Sequence, residues 1–347
     1  MNLPIRVLLV DDSAFIRHTV TKYLEADRDL AVIGAARDGV EALTQIPILK
    51  PDVVVLDVEM PRMDGLTALK RIMVECPTPV VMLSALTQRG ARTTIQALMR
   101  GACDFVPKPD ARIDIHQVID ELTAKIKTAA ASKLTSLARA PVTRPIVAFI
   151  KQGPKLLQKG DPVIVIGAST GGPRALQQVL SGLPADLPAA VLVVQHMPPG
   201  FTRSLAQRLN ELSSLTVHEA AEGDRLGRGT ALLAPGDFHL RLRGIRQVSL
   251  DNGPRRCHVR PSVDVTMESA VEYHEGKVIG VVLTGMGDDG TAGSSCIKAA
   301  GGKIIAEHES TSVVYGMPAS VVKAGLADRV VPLPRVAKTI VELLGDE

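Results

Sequence analysis

Val163-Ile164-Val165-Ile166-Gly167-Ala168-Ser169-Thr170-Gly171-Gly172 decides how this chain is read. An apolar, β-branched run ends at Gly167 and delivers one serine into a turn of small residues. A helix is expected to follow over Pro173–Leu180. Strand, turn and helix together present Ser169 at the end of a buried strand, with the G-x-S-x-G spacing of a nucleophile elbow. The glycines permit the sharp turn, and the first N–H groups of the following helix can face a developing oxyanion. The same elements also describe a phosphate-cradling loop of a nucleotide-binding fold. Ser169 takes the second glycine position of G-x-G-x-x-G, and no Gly-Lys-Ser/Thr follows, so neither phosphate fingerprint is complete. The turn alone leaves nucleophile and phosphate cradle both open.

Working outward, 347 residues suit two domains. Apolar residues make up 46%, enough for two cores, while aromatics are 2% and Trp is absent, so the cores must be aliphatic. That composition argues against base stacking on single-stranded nucleic acid. The net charge is +3, and residues 129–160 alone carry six Lys or Arg and no Asp or Glu. The remainder is therefore slightly acidic, and no nucleic-acid partner is expected. Cys76, Cys103, Cys257 and Cys296 show no C-x-x-C spacing, which excludes a thiolate metal cluster and a disulfide framework and suits buried free thiols in a reducing compartment. No signal pattern opens the chain, and no apolar run approaches the about 18 residues of a membrane span. A cytoplasmic protein without membrane insertion is expected.

In residues 1–128, Val7–Val10, Ala31–Ile33, Val53–Leu56, Val80–Leu83 and Asp104–Val106 read as strands. Helices are expected over Ala14–Glu25, Asp38–Ile46, Leu66–Val74, Gly90–Arg100 and Ile113–Lys127. Such alternation predicts a doubly wound parallel sheet, whose site lies beyond the carboxyl ends of its strands. Polar residues gather there: Asp11 and Asp12 after the first strand, Asp57 after the third, Ser84 after the fourth and Lys108 after the fifth. Three converging carboxylates call for a cation, and an all-oxygen donor set suits Mg²⁺. A hydroxyl and an ammonium beside them suit a phosphoryl group.

This constellation resembles the receiver domain of two-component response regulators. The matching strings are Val7-Leu8-Leu9-Val10-Asp11-Asp12-Ser13, Leu56 to Gly65, Ser84-Ala85 and Pro107-Lys108-Pro109. The resemblance implies a flavodoxin-like fold with Asp57 as phosphoacceptor. It implies Mg²⁺ held by Asp11, Asp12, Asp57 and the backbone carbonyl of Glu59. It also makes Ser84 and Lys108 the groups that engage the phosphoryl oxygens, with Phe105 at the place of the family's aromatic switch partner, and a histidine kinase the phosphodonor.

Residues 129–160 lose periodicity and read as a basic linker, a solvated tether in which Ile146–Ile150 packs on one domain. Residues 161–347 return to strand and helix. Strands are expected at Val163–Ile166, Val191–Val194, Val278–Leu283 and Lys303–Ala306. Helices are expected at Pro173–Leu180, Phe201–Leu212, Ser262–Tyr273, Gly290–Ala300 and Pro318–Ala324, with a strand Ala231–Ala234 and a hairpin His239–Val248 inserted between. Ser169 follows the first of these strands, His196 the second, and Asp288-Asp289 the Val278–Leu283 strand. A serine needs a base, for which neutral imidazole suits pH 7, and the imidazole needs a carboxylate to fix its tautomer. Each alone also fits a structural role, since either aspartate can cap the Gly290–Ala300 helix.

Gly167 to Gly172, Gln195-His196-Met197, Ala234-Pro235-Gly236-Asp237 and Leu283 to Gly290 resemble the chemotaxis protein-glutamate methylesterases of the CheB family. With the receiver strings, the likeness covers nearly the whole chain. It implies an α/β protein of two doubly wound domains, a flavodoxin-like receiver and a Rossmann-like esterase. The implied activity is hydrolysis of glutamyl methyl esters on the cytoplasmic helices of chemoreceptors, with release of methanol, and deamidation of receptor glutamines. Carried over by position, Ser169 is the nucleophile, His196 the base and Asp289 its orienter. Asp288 stands where the family often has Asn. Thr170, Gly171, Met197 and Met286 are candidates for the oxyanion site or its lining, no cofactor is implied for the esterase site, and Arg203 is a candidate contact to an acidic receptor surface. In the family the unphosphorylated receiver hinders access to the esterase, and phosphorylation relieves it. A non-catalytic, ligand-binding output domain and a nucleotide-binding one remain the competing classes.

Overall fold

A computed structural model describes residues 3–85, 87–108, 115–132, 155–274 and 276–345. The chain divides into two compact units, Met1–Ala140 and Pro141–Glu347.

The first unit alternates β1 (Ile5–Val10), α1 (Ala14–Leu24), β2 (Leu30–Ala36), α2 (Gly39–Leu49), β3 (Val53–Asp57), α3 (Gly65–Glu75), β4 (Val80–Ser84), α4 (Gln88–Met99), β5 (Asp104–Pro107) and α5 (Ile115–Ala131). The parallel sheet runs β2-β1-β3-β4-β5, the flavodoxin-like order. Both faces are covered by helices, so β3 and β4 are buried at every position and read as unbroken apolar runs. Each fully buried Val or Leu contributes about 1.5–3 kcal/mol relative to exposure. The helices begin where side chains satisfy open N–H groups: Ser13, Asp38, Asp64 and Thr87 all cap. Helix α5 continues through Ala131, into residues expected to break it.

The second unit carries β6 (Lys155–Leu156), β7 (Val163–Ala168), α6 (Gly172–Gly182), β8 (Ala190–Gln195), α7 (Phe201–Leu212), β9 (Thr216–Glu219), β10 (Gly227–Arg228) and β11 (Thr230–Leu233). It continues with β12 (His239–Arg243), β13 (Gln247–Asp251), α8 (Val263–Tyr273), β14 (Val278–Val282), α9 (Thr291–Ala299), β15 (Lys303–Glu307), α10 (Met317–Lys323), β16 (Arg329–Val331) and α11 (Leu333–Gly345). Its seven-stranded sheet runs β16-β15-β14-β7-β8-β11-β9, and every pairing in it is parallel. The order reverses at β7, which places the crevice for a ligand beside the end of that strand.

Three differences from the sequence reading have physical causes. The Ala231–Ala234 strand is not an insertion: it pairs with β8 and lies inside the main sheet, whereas β12 and β13 form the separate hairpin. Strands β9 and β16 are short and half exposed at the sheet edges, so they carry little apolar signal. Within the expected linker, Lys155 and Leu156 pair with β10 and Leu157 is fully buried, so the second unit begins to pack there. The Ile146–Ile150 expectation lies outside the described residues. The thiols also differ from expectation: of the four, only Cys103 is buried and Cys257 is exposed.

Candidate active site and phosphoacceptor site

The parallel register sets the esterase candidates side by side. Ala168 of β7 pairs with Gln195 of β8, so Ser169 and His196 are the next residues on strands spaced about 4.8 Å apart. The His196 N–H donates to the Ala168 carbonyl at 3.1 Å and the Ser169 N–H to the Thr284 carbonyl at 3.0 Å, which ties three strand ends together. Gly171 sits at φ +79°, a conformation that favours glycine, and lets the chain enter α6 directly. Gly285 has no room for a side chain, because a Cβ there would come within 2.8 Å of the Ser169 Cβ.

His196 Nε2 lies 2.8 Å from Asp289 Oδ2. A carboxylate only accepts, so Nε2 carries the proton and Nδ1 is left with the lone pair. Asp289 is 2% exposed and has further donors: Ser262 Oγ at 2.8 Å, the Val263 N–H at 2.7 Å and the Asp264 N–H at 3.0 Å. Burial works to raise its pKa, but the His196 hydrogen bond and these backbone donors hold it below the ordinary carboxylate value. Asp288, its neighbour, is exposed and its carbonyl accepts from the Thr291 N–H.

Ser169 is half-buried, and its Oγ makes no hydrogen bond among the described residues. Catalytic hydrogen bonds of this kind commonly tighten only when substrate is bound. The Gly172 N–H is already committed to the Ser169 carbonyl at 2.7 Å. Thr170 and Met197 are buried, whereas Met286 is 57% exposed. Arg203 is exposed and paired with Glu219 at 3.2 Å.

Sequence reasoning missed the supports. Gln195 Nε2 donates to the carbonyls of Ser169 at 2.9 Å and His196 at 3.2 Å, bridging nucleophile and base. Thr284 Oγ1 donates to the Thr170 carbonyl at 2.9 Å, while the Thr284 N–H is held by the buried Glu307 at 2.8 Å. Burial lifts the Glu307 carboxyl to about 7. The one sequence signal was position: Gln195 ends β8 and Glu307 ends β15, so both stand where parallel sheets place function.

In the first unit, β1 and β3 are neighbours at the point where strand order reverses, which brings Asp11 and Asp57 together. Oxygens of Asp11, Asp12 and Asp57 lie within 4.8 Å of one another. Lys108 Nζ lies 2.7 Å from both Asp11 Oδ2 and Asp57 Oδ2, and among the described residues those buried oxygens take no other partner. Burial pushes Asp57 up to about 6, against the nearby Lys108 ammonium and with repulsion from Asp11. The Glu59 N–H donates to Asp57 Oδ1 at 3.3 Å, and the Glu59 side chain faces Arg89 at 3.9 Å. Thr94 Oγ1 donates to Ser84 Oγ at 2.7 Å. Phe105 is 2% exposed, with Lys125 Nζ 5.2 Å from its ring centroid. A groove of about 700 Å³ opens beside Asp12, Glu59 and Asp64.

Comparison with known proteins assigns both units. The family model described as CheB methylesterase matches residues 164–340, and that described as response regulator receiver domain matches residues 7–120. A protein-glutamate methylesterase/protein-glutamine glutaminase of Symbiobacterium thermophilum is 48% identical over 99% of this chain and 98% of its own length. The protein of the same name from Thermotoga maritima is 44% identical over 98% of each chain. The crystal structure of the Thermotoga maritima CheB methylesterase catalytic domain superposes with a TM-score of 0.52 at 47% identity, covering 53% of this chain and 98% of that one. Among the described residues no helix is long and apolar enough to cross a membrane.

Proposed function

The chain belongs to the CheB methylesterase family, and from that premise we propose that Ser169, His196 and Asp289 carry out its hydrolysis of glutamyl methyl esters. The observation that carries this reading is the 2.8 Å His196–Asp289 hydrogen bond beside a serine at the next register position. His196 Nδ1 takes the proton as Ser169 Oγ attacks the side-chain carbonyl, and the ionised Asp289 holds the imidazolium through Nε2. The tetrahedral oxyanion is received by backbone N–H groups of the Ser169 turn, from Thr170 or Gly171, or by that of Met197. His196 then protonates departing methanol, and water deacylates Ser169 by the same steps in reverse. Glutamine deamidation passes through the same centre with ammonia leaving, in keeping with the double name of the relatives. Nothing in the trio calls for a metal or cofactor. On this reading the substrates are the methylated cytoplasmic helices of chemoreceptors, and the enzyme works in the cytoplasm beside them. Met286 and Arg203 stand exposed for contact with them.

The receiver unit controls this site through Asp57, phosphorylated by a histidine kinase. The buried Asp11 and Asp57 oxygens, which meet only the Lys108 ammonium among the described residues, and the adjoining Asp12 form an all-oxygen set that fits a divalent cation of the Mg²⁺ type, to which Glu59 would contribute its backbone carbonyl. Held by these residues, the cation would supply positive charge to offset that of the phosphoryl group. Lys108 holds the phosphorylated Asp57, and Ser84 leaves Thr94 to bind a phosphoryl oxygen, with Phe105 buried in the neighbouring strand β5.

Methanol release from a methyl-esterified chemoreceptor fragment tests the reading. Ser169→Ala, with its fold verified by circular dichroism, should lose at least about 10³-fold in kcat. Retained activity would reject Ser169 as nucleophile. Asp57→Asn should abolish stimulation by a small-molecule phosphodonor while keeping the basal rate.

A further inference from the structure

Asp289 and Asp264 exchange roles across two helix starts. Asp289 directly precedes Gly290, the N-cap of α9, yet its carboxylate accepts from the Val263 and Asp264 N–H groups of the first turn of α8. Asp264, in that first turn, sends its carboxylate the other way. Its Oδ1 accepts from the Gly290 N–H at 2.9 Å and the Gly293 N–H at 2.7 Å, at the start of α9. Gly290 itself has no side chain to cap with, so Asp264 supplies the oxygen that α9 lacks. Each helix N-terminus is thus closed by a carboxylate from the other. Ser262, the N-cap of α8, adds its hydroxyl to Asp289 Oδ1 at 2.8 Å.

We infer that Asp264 is a positioning residue for hydrolysis: through the reciprocal caps it fixes the segment that carries Asp289, and so the orientation of His196. The inference rests on the reading of Asp289 as the partner of His196. Three observations support it. Asp264 is 1% exposed, so its carboxylate has no solvent role to explain its presence. Its two strong partners are the residue directly after Asp289 and one three further on, so any movement of Asp264 is passed to Asp289 through one peptide bond. The other groups facing it are distant, with Arg256 Nε at 3.9 Å and the Cys257 thiol at 4.0 Å. The two carboxyls are also driven apart in acidity. Burial lifts Asp264 to about 6, whereas Asp289 is held low by its donors, so a proton entering the pair goes to Asp264 and leaves Asp289 ionised for the imidazolium.

The test uses the full chain and the methyl-esterified receptor fragment, with Ser169→Ala and Asp289→Ala run in parallel. Asp264→Ala should lower kcat by about 10- to 100-fold with KM within about twofold, because misplaced catalytic groups cost turnover and leave ground-state binding in place. Asp264→Asn keeps an oxygen at Oδ1 that accepts both N–H groups, and should restore kcat to within about threefold of wild type. The downfield ring N–H resonance of His196 should persist in Asp264→Asn and be lost or exchange-broadened in Asp264→Ala. If Asp264→Ala does not fold, Asp264→Glu decides. It keeps the charge but displaces the oxygens by one methylene, and should show the lowered kcat at unchanged KM. Wild-type kcat in folded Asp264→Ala or Asp264→Glu, or equal losses in Asp264→Asn and Asp264→Ala, would overturn the inference. Activity surviving Ser169→Ala and Asp289→Ala would instead overturn the reading on which it rests.

Discussion

Asp57 ends a central parallel strand, β3, and Asp289 lies in the loop that follows another, β14, so both stand on the carboxyl side of their sheets, but inside opposite surroundings. Asp57 has one weak backbone donor at 3.3 Å and leans on Lys108 at 2.7 Å. Asp289 has two backbone N–H groups, a hydroxyl and an imidazole within 3.0 Å. The first carboxylate is desolvated and raised, the second is desolvated and still lowered. What separates them is the supply of hydrogen-bond donors, since both are buried. A carboxylate left with unfilled acceptor sites suits a group that must take up a cation and a phosphoryl group. One with its sites filled suits a group whose charge and place must stay constant through a reaction cycle.

The comparison breaks first on activity. Asp289→Asn keeps the size and most of the acceptors but removes the charge and allows the wrong imidazole tautomer. A loss in kcat of about 10³–10⁴-fold is expected from methanol release, with the circular dichroism spectrum unchanged. A loss under tenfold would mean that the filled acceptor shell serves folding alone.

Stability sharpens it, because the two aspartates should act with opposite sign. The folded-state pKa of Asp57, about 6, lies above its unfolded value of about 3.9. Below about pH 4 the carboxyl is protonated in both states and contributes nothing. Above about pH 6 it is ionised in both, and the full cost of burying the charge is present. Asp57→Asn should therefore stabilise the receiver unit by about 2 kcal/mol at pH 7.5, with the gain vanishing as the pH falls to 4. Asp289 is lowered, so its contribution is favourable above the unfolded value and is lost as pH falls through the folded one. Asp289→Asn should destabilise the esterase unit at pH 7.5, and the difference should close in acid. Urea denaturation at several pH values, with the transitions of the two units followed separately, checks both signs.

How much of this the sequence carried can be argued from particular residues. The strands β1, β3, β4, β7 and β8 are legible because strands buried on both faces must be apolar throughout, and the residue after each such run then stands at the site. Ser169 and His196 were found in that way, and the Asp288-Asp289 pair as the acidic residues of the loop between β14 and α9. The choice between the two aspartates came from family resemblance, and its physical basis, exposure of one and burial of the other, exists only in the fold. Asp264 and Ser262 were hidden for a different reason. Their signal is an ordinary helix start, and what makes them matter is another helix start that the fold brings against them. Helix α11 carries apolar residues at Val336, Ala337, Ile340 and Leu343, a periodic pattern obscured by Pro332 and Pro334 at its beginning.

The smallest expected effect concerns the two serines. Ser84 and Ser169 both lie at the carboxyl end of a buried parallel strand. Ser84 Oγ lies 2.7 Å from Thr94 Oγ1 in a hydrogen bond, and Thr94 Oγ1 lies 2.8 Å from the Gly90 carbonyl, so this hydroxyl is parked against α4. Ser169 Oγ has no such anchor, and its backbone is held instead, by Thr284 and Gln195. A nucleophile needs a fixed backbone and an uncommitted hydroxyl, whereas a group that moves on phosphorylation needs a resting partner to leave. Thr94→Val keeps the shape and removes the partner. It should cost the receiver unit about 1 kcal/mol in urea denaturation, as expected for one buried hydrogen bond, and leave unstimulated methanol release unchanged. It should also lower the phosphodonor concentration needed for half-maximal stimulation, because Ser84 then keeps only its long 3.3 Å bond to the Ala85 carbonyl. An unchanged half-maximal concentration in a destabilised Thr94→Val protein would show that the Thr94–Ser84 bond supports folding and takes no part in the response.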